Sequence, residues 1–545
     1  MLLAALYLCA GLGWRDPWPP DEPRYILVAT EMVESGQWFL PTRGGELYPD
    51  KPPVFMWAEA AFYALTGSVR LAFLLPSLLA ALATLWLVYS CGEALWDHRT
   101  GLLAAGLLFC TFQFLQQSSD GQIDGLLCLW TTLGATGLLR HYLRGPAPGW
   151  LYLAMLSCGL GVLTKGVGFL PLLLIPLAAV YRRVGDAPTG LSPPLAAGQP
   201  VLAAGAFFLP LLAWAVPLLV LARGDPAIAA YRDNILLHQT VGRYSHPWGH
   251  FKPPWFYVVH VIPLNWMSLS PLVFFALPDW WRRSRADPRF WLPLAWVVVL
   301  LVFFSATPGK RDIYIYPALP LVALALAPLV ESLAARRELQ WLCFLLAAGS
   351  TLALLAGLTV TLGWFSVPYE FELSLATFSP LFAWVSAVAL LAGAMFRRRR
   401  AFLWLSTILL SAWLAYRLLA TPMLDDLRSS RGLLQDVNAQ AGQRVELGIA
   451  GWHEQTLLQA RLLRADEPAL FGFGSATPEE WQAALDWLQA TPARRLLFSE
   501  TALQGCLDPS RANDMGVYHR SRWWLASRVA LAPGCRVAVE SAFKP

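Results

Sequence analysis

LAFLLPSLLAALATLWLVYSCG, residues 71–92, contains no Asp, Glu, Lys or Arg. As an α-helix rising about 1.5 Å per residue it would cover about 33 Å, enough to cross the hydrocarbon core of a bilayer, about 30 Å thick. Similar runs recur from the first residue to about 420, at 1–13, 71–92, 101–116, 123–139, 150–163, 167–182, 200–222, 254–277, 289–305, 311–330, 338–363, 375–395 and 401–420. The pattern predicts a polytopic α-helical membrane protein of about thirteen spans. Composition agrees, since 56% of the 545 residues are hydrophobic and 14% charged, which excludes an ordinary soluble chain of this size. The 26 Trp and 16 Tyr suit the aromatic belts at the two membrane surfaces. The opening MLLAALYLCAGLGW reads as a first span and lacks the charged start and small-residue site of a cleaved leader.

Short cytoplasmic loops collect Lys and Arg, so loop charge orients the chain. Arg140 with Arg144, Arg182 with Arg183, Arg282 with Arg283 and Arg285, Arg336 with Arg337, and Arg397 to Arg400 all follow even-numbered spans. The N-terminus is therefore expected in the cytoplasm, and the tail from 421 in the periplasm. The other loops then share the periplasmic face. They include a long first loop, about 14–70, a second of about 223–253, SSDGQID after span three, TKG after span five and TPGKR after span nine. Isolated charges mixed with Pro, Gly, His and Tyr make these loops candidates for parts of one site.

The richest stretch is 19-PPDEPRYILVATEMVESGQWFLPTRGGELYPDKPPVFMW-57. Asp21, Glu22 and Arg24 open an amphipathic helix through about Glu34, with Pro23 acceptable in its first turn. That helix is expected at the interface, with Ile26, Val28, Met32 and Val33 dipping into lipid. The plain alternative for Asp21 is a helix cap. Lys51 precedes Pro52-Pro53, which stop a helix from continuing through it. Lys165, in GLGVLTKGVGF, lies between two apolar runs, where an ionisable group is costly and a functional candidate. Lone lysines at such places are usually interfacial anchors. Arg24, Lys51, Lys165, Lys310 and Arg311 gathered on one face would instead suit a phosphate or pyrophosphate.

The loop 238-HQTVGRYSHPWGHFKPPWFY-257 holds His238, His246 and His250 of the chain's eight His. Two uses stand side by side: a divalent ion such as zinc held with a carboxylate, or hydrogen bonds to backbone and headgroups, because the spacing fits no closed zinc motif. Six of the eight Cys lie within apolar runs; Cys506 and Cys535 lie in the polar tail, where a disulfide would be plausible in a periplasmic segment. Within that tail RVELGIAG and ARRLLFSE read as strands, and TPEEWQAALDWLQA as a helix capped by Thr477. The expected division is a membrane domain, 1–420, and a small α/β domain, 421–545. GxxxxGK[ST], a dinucleotide GxGxxG and CxxC are all absent from the sequence, so neither soluble-nucleotide chemistry nor a nucleic-acid partner is indicated.

The motifs DEPRY (21–25), YPDKPPVFMW (48–57), IDGLLCLW (123–130), GVLTKG (161–166), HFKPPWFY (250–257) and FFSATPGKRDIYIYP (303–317) together resemble those of bacterial GT-C glycosyltransferases of the aminoarabinose-transferase and protein-O-mannosyltransferase group. The resemblance implies a GT-C fold with interfacial helices in the first periplasmic loop. It implies inverting transfer of a sugar from a polyprenyl phosphate, typically undecaprenyl phosphate, to lipid A or another envelope acceptor, by a monomer in the bacterial inner membrane. Asp21 would be the essential carboxylate of the Asp21-Glu22 pair and Asp124 a further one. Arg24, Lys51 and Lys165 would meet the donor phosphate, with Tyr48 lining the same pocket and Lys310 and Arg311 nearby. Asp50 and His250 stand where aminoarabinose transferases have an acidic residue and a His near a bound metal; the family usually has Glu at the first of these. Two other readings remain open from sequence: a protein O-glycosyltransferase of the same fold, and a lipid or sugar transporter, which would put polar groups near the bilayer midplane.

Overall fold

The computed structural model describes residues 1–184, 191–193, 196–236, 251–364, 375–442, 445–499, 507–518 and 521–531. The chain divides into two compact units. One comprises Met1–Leu12, Tyr48–Phe62 and Leu74–Ala420; the other comprises Gly13–Leu47, Tyr63–Phe73 and Thr421–Pro545.

The first unit is helical. Among the described residues eight helices are long and apolar enough to cross a membrane: Val69–Leu95, Gly166–Arg183, Gln199–Leu221, Pro288–Ala306, Asp312–Ala334, Arg337–Thr361, Leu375–Phe396 and Arg398–Arg428. Each falls on an apolar run of the sequence. The five other runs are shorter or interrupted, for local reasons. Run 1–13 yields only the helix Leu2–Leu8 before Gly11 and Gly13 turn to positive φ. Run 101–116 breaks at Thr111, whose backbone is extended, into His98–Phe109 and Phe112–Ser119. Run 254–277 breaks at Ser268, a non-glycine residue at φ 77°, before Ser270–Ser284. Ile123–Leu143 has 21 residues but carries Asp124 at one end and Arg140 and His141 at the other. Pro148–Thr164 is apolar and has 17 residues.

Small residues set how closely these helices pack. A Cβ added to Gly168 would lie 2.0 Å from the backbone carbon of Gly161, so the 3₁₀ segment Gly166–Leu173 presses its backbone on the helix before it. Burial is continuous through this unit, from Leu78, Val88 and Leu108 to Trp296, Tyr316 and Leu324.

The second unit is built on a five-stranded sheet of order β4-β3-β5-β7-β6. Its strands are β3 (Glu446–Trp452), β4 (Ala469–Phe473), β5 (Arg494–Ser499), β6 (Asn513–Tyr518) and β7 (Ser521–Ala526). β3 pairs in parallel with β4 and β5, which requires crossovers; helices Glu454–Leu463 and Pro478–Ala490 supply them. Thr477 and Glu480 form a reciprocal capping box at the start of the latter. β7 pairs antiparallel with β5 and β6. The core joins Trp481, Leu485 and Leu488 of the helix to Leu496 and Phe498 of β5.

The helix predicted from residue 21 runs Glu22–Ser35 and ends at Gly36 in the left-handed conformation. Three of the four apolar residues expected to dip into lipid are enclosed by protein instead, which corrects the sequence expectation, and Val33 is half-buried. Ile26 and Val28 are 0% exposed and Met32 is 1% exposed. The physical reason is on the same helix: Glu31 is also buried, and it organises protein around itself. Its oxygens accept from Thr42 Oγ1 at 2.6 Å, Gly44 N at 2.6 Å and Arg461 Nη1 at 2.7 Å. Thr42–Arg43 (β1) and Glu46–Leu47 (β2) make a short hairpin. Gly44, at φ +64°, is its tip, and a Cβ there would lie 2.5 Å from the Trp452 ring.

Glu31→Ala is therefore expected to lower the stability of this unit by about 2–3 kcal/mol, because it strands the hairpin donors of Thr42 and Gly44 and leaves the half-buried Arg461 with Glu467 as its remaining carboxylate. Limited proteolysis of the purified protein reads this as earlier cutting within the 421–545 segment. Unchanged resistance would mean that Glu31 is not holding the hairpin.

Candidate active site

In the membrane unit Lys165 is placed by a break in secondary structure. Helix Pro148–Thr164 ends and the 3₁₀ segment Gly166–Leu173 begins, leaving Lys165 alone in an extended conformation (φ −158°, ψ 110°). Its Nζ donates to Asp124 Oδ1 at 2.6 Å. Asp124 lies in the first turn of Ile123–Leu143, where the helix N-terminus favours a negative charge. The lysine side chain is 22% exposed and the aspartate 8%, so the lysine is partly open to a ligand and the carboxylate paired with it is nearly closed off.

The Tyr314 ring centroid lies 5.4 Å from Nζ, a cation–π distance. Tyr314 is fixed by the anchoring of its turn, Asp312–Ala318. Asn265 Nδ2 donates to Asp312 Oδ2 at 3.0 Å, and Gln113 Nε2 to the Asp312 carbonyl at 3.1 Å. Trp266 Nε1 in turn donates to Gln113 Oε1 at 2.9 Å. Two groups, Asp124 and Tyr314, thus meet the ammonium, and Gln113, Asn265 and Trp266 anchor the turn that carries Tyr314. An ammonium preoriented in this way suits a group that gains negative charge during a reaction.

The remaining predicted cations of this unit differ in state. Lys310 is 3% exposed, and its Nζ donates to the carbonyls of Lys252 and Thr307. Burial lowers the pKa of its ammonium below the usual value. In this position it ties Lys252 to the 307–310 turn, and a phosphate would have to meet its third proton. Arg311 is exposed. Lys51 Nζ lies 3.2 Å from the carbonyl of Asp50, and both residues are half-buried. Tyr48 is buried. His238, His246 and His250 lie outside the described residues, as do Cys506 and Cys535. The proposed pairing of Asp50 with His250 on a metal falls there too. Among the described residues there is no group of three or more His, Cys, Asp or Glu able to hold a metal.

In the second unit the adjacent carboxylates Asp21 and Glu22 are used differently. Glu22 is enclosed: both its oxygens engage the Arg15 guanidinium, and Oε2 also accepts from the Trp18 backbone N–H at 2.7 Å. Asp21 occupies the N-cap position but makes no side-chain cap hydrogen bond. Its Oδ1 instead lies 3.4 Å from Arg24 Nη1, while Arg24 Nε donates to Glu454 Oε1 at 2.8 Å. Glu454 also pairs with Arg43. Sequence reasoning missed Glu454, whose partners lie some four hundred residues away. It also missed Glu59, a fully buried carboxylate on helix Val54–Thr66; its one sequence signal was a Glu within an apolar helix.

Comparison with known proteins bears on this arrangement. Residues 50–214 match the family model described as dolichyl-phosphate-mannose-protein mannosyltransferase, a stretch that includes Lys51, Asp124 and Lys165. The undecaprenyl phosphate-alpha-4-amino-4-deoxy-L-arabinose arabinosyl transferase 1 of Sodalis glossinidius (strain morsitans) is 32% identical over 328 residues, covering 57% of this chain and 54% of that protein. Over that stretch the chain is similar to these aminoarabinosyl transferases. The corresponding transferase of Pseudomonas savastanoi pv. phaseolicola (strain 1448A / Race 6) is 32% identical over 346 residues, 61% of each chain. The chain thus spans a little over half the length of the curated aminoarabinosyl transferases it matches. The crystal structure of ArnT from Cupriavidus metallidurans bound to undecaprenyl phosphate superposes with a TM-score of 0.76 over 98% of both chains at 16% identity. Its apo form gives 0.73. The chain therefore shares the ArnT fold: a multi-pass helical membrane protein with a C-terminal α/β sheet domain.

Proposed function

We propose that the protein is an inverting glycosyltransferase that moves a sugar, aminoarabinose or a related one, from undecaprenyl phosphate to lipid A or another envelope acceptor at the periplasmic face. The observation that supports this reading is the partly exposed Lys165, paired with Asp124 within the stretch that matches the mannosyltransferase family and faced by the Tyr314 ring. As the acceptor oxygen attacks the anomeric carbon, the bond from that carbon to the phosphate oxygen breaks and negative charge collects on the leaving lipid phosphate. Cations fixed in advance lower that barrier because they need not reorganise. Lys165 takes this role, with Lys51 and Arg24 assisting and Tyr48 lining the donor pocket. Asp21 takes the proton of a hydroxyl acceptor; an acceptor phosphate, already ionised, it would orient. A second reading, transfer to a protein hydroxyl, draws support from the description of the matching family.

The deciding experiment incubates the purified full chain with defined undecaprenyl-phosphate sugars and either lipid A or a Ser/Thr-rich periplasmic protein. Glycosylated lipid A supports the first acceptor and glycosylated protein the second. Turnover of neither, with protein that is folded and binds donor, would reject transfer.

The proposed topology has about thirteen crossings, a cytoplasmic N-terminus and a periplasmic tail, and it makes a separate prediction. Single-Cys labels at Arg283 and Arg398 are expected to resist a membrane-impermeant reagent added from the periplasm, and one at Gly309 to react. The reverse pattern would invert the orientation.

A further inference from the structure

A second feature of the membrane unit is not used by the proposed reaction. A cavity of about 400 Å³ lies among residues from five stretches of this unit. Its walls include Leu103, Leu107, Leu272, Val330, Cys343 and Phe402, and its volume is within the usual range for ligand pockets, about 300–1,000 Å³. Its polar lining is Gln340, Arg399, Arg400 and Ser406. Two of these are already engaged. Gln340 Nε2 donates to the Ala334 carbonyl at 2.9 Å, and Ser406 lies 3.0 Å from the Ser268 hydroxyl.

Arg399 and Arg400 are exposed and make no ion pair among the described residues. They belong to a single 3₁₀ turn, Arg398–Arg400, between the apolar helices Ser379–Phe396 and Ala401–Ala415. Nearby carboxylates are taken: Asp279 by Arg282 and Arg336, and Glu331 by Arg99. The exposed Glu338 is adjacent to Arg337 in sequence. What remains is an apolar chamber whose lining includes two arginines with no ion pair among the described residues. Guanidinium matches phosphate in both charge and fork geometry, and basic pockets between transmembrane helices bind anionic head groups.

We propose that this cavity is a binding site for an anionic glycerophospholipid of the bilayer, its phosphate on Arg399 and Arg400 and an acyl chain among the leucines. A site for a free anion would not need an apolar chamber, and a site for an apolar ligand would not need the arginines.

Native mass spectrometry of the full chain released from nanodiscs of equal phosphatidylglycerol and phosphatidylcholine tests this. The wild type is expected to retain phosphatidylglycerol preferentially. An Arg399→Gln/Arg400→Gln variant should lose that preference by about 30-fold, and Arg399→Lys/Arg400→Lys should keep much of it. Gly106→Leu is an independent variant: Gly106 lines the cavity, and a Cβ there meets nothing within 4 Å. It should fill the chamber and evict the lipid with both arginines intact. Arg183→Gln/Arg283→Gln removes two cytoplasmic-loop charges elsewhere and should change nothing. Equal retention of phosphatidylcholine, an equal loss in that control, or stronger capture of added undecaprenyl phosphate or inorganic phosphate would each overturn the assignment.

Discussion

Lys165→Met is expected to weaken binding of the undecaprenyl-phosphate sugar about 10- to 100-fold, the loss of one charge-assisted contact of about 1.5–3 kcal/mol. Methionine keeps an apolar stem of similar length, so packing around Gly161 and Gly168 should survive. The complication is Asp124, 2.6 Å away and 8% exposed, which the substitution leaves without its cation. Breaking a buried pair on one side can itself cost about 3–5 kcal/mol. A second variant separates the two effects. Asp124→Asn with Lys165→Met removes both charges, so any loss of stability caused by a bare carboxylate should be relieved. If Lys165 serves only to neutralise Asp124, the double variant recovers donor binding as well as melting temperature. If Lys165 meets the donor phosphate, melting temperature recovers and donor affinity does not. Arg at 165 should restore only part of the affinity, because a planar fork does not reproduce a compact ammonium.

The sequence carried the membrane unit well because the bilayer imposes a one-dimensional rule: apolar length. Eight of the runs became long helices; of the other five, three are broken by backbone geometry, as at Ser268 with φ 77°, one is 17 residues long and one is a continuous helix with charged ends. The tail was legible for a different reason. Short β runs and the Thr477 cap are local signals, and β3, β5 and the helix Pro478–Ala490 lie where those signals put them. What could not be read was pairing across hundreds of residues. Glu31 with Arg461, Arg24 with Glu454 and Asp16 with Arg70 and Arg431 leave no periodicity. The first loop therefore looked like an interfacial helix facing lipid, whereas its charged residues join it to the segment that begins at Thr421. Lys165 was legible as an ionisable residue between apolar runs; Asp124 was named only as a further carboxylate, and neither its pairing with Lys165 nor the place of Tyr314 beside it could be read.

Asp21→Asn is expected to lower transfer by at least about 100-fold, the lower end of what a positioned general base contributes, with the protein still folded. Its neighbour makes the experiment informative. Glu22 is buried in a bidentate contact with Arg15 and accepts the Trp18 N–H, so Glu22→Gln should destabilise the second unit by about 3–5 kcal/mol and show as poor expression or a lowered melting temperature. Asp21 is more open, at 14% against 5% for the Glu22 side chain, and makes no cap hydrogen bond that its loss would remove. Arg24 keeps its 2.8 Å contact with Glu454 when the Asp21 charge is gone, so the guanidinium is not left bare. Two adjacent carboxylates should then fail in opposite ways, one losing chemistry and the other losing structure. Transfer by the Asn variant at the wild-type rate, with acceptor and donor both saturating, would remove Asp21 from the reaction and leave it as an ordinary first-turn charge of the helix Glu22–Ser35.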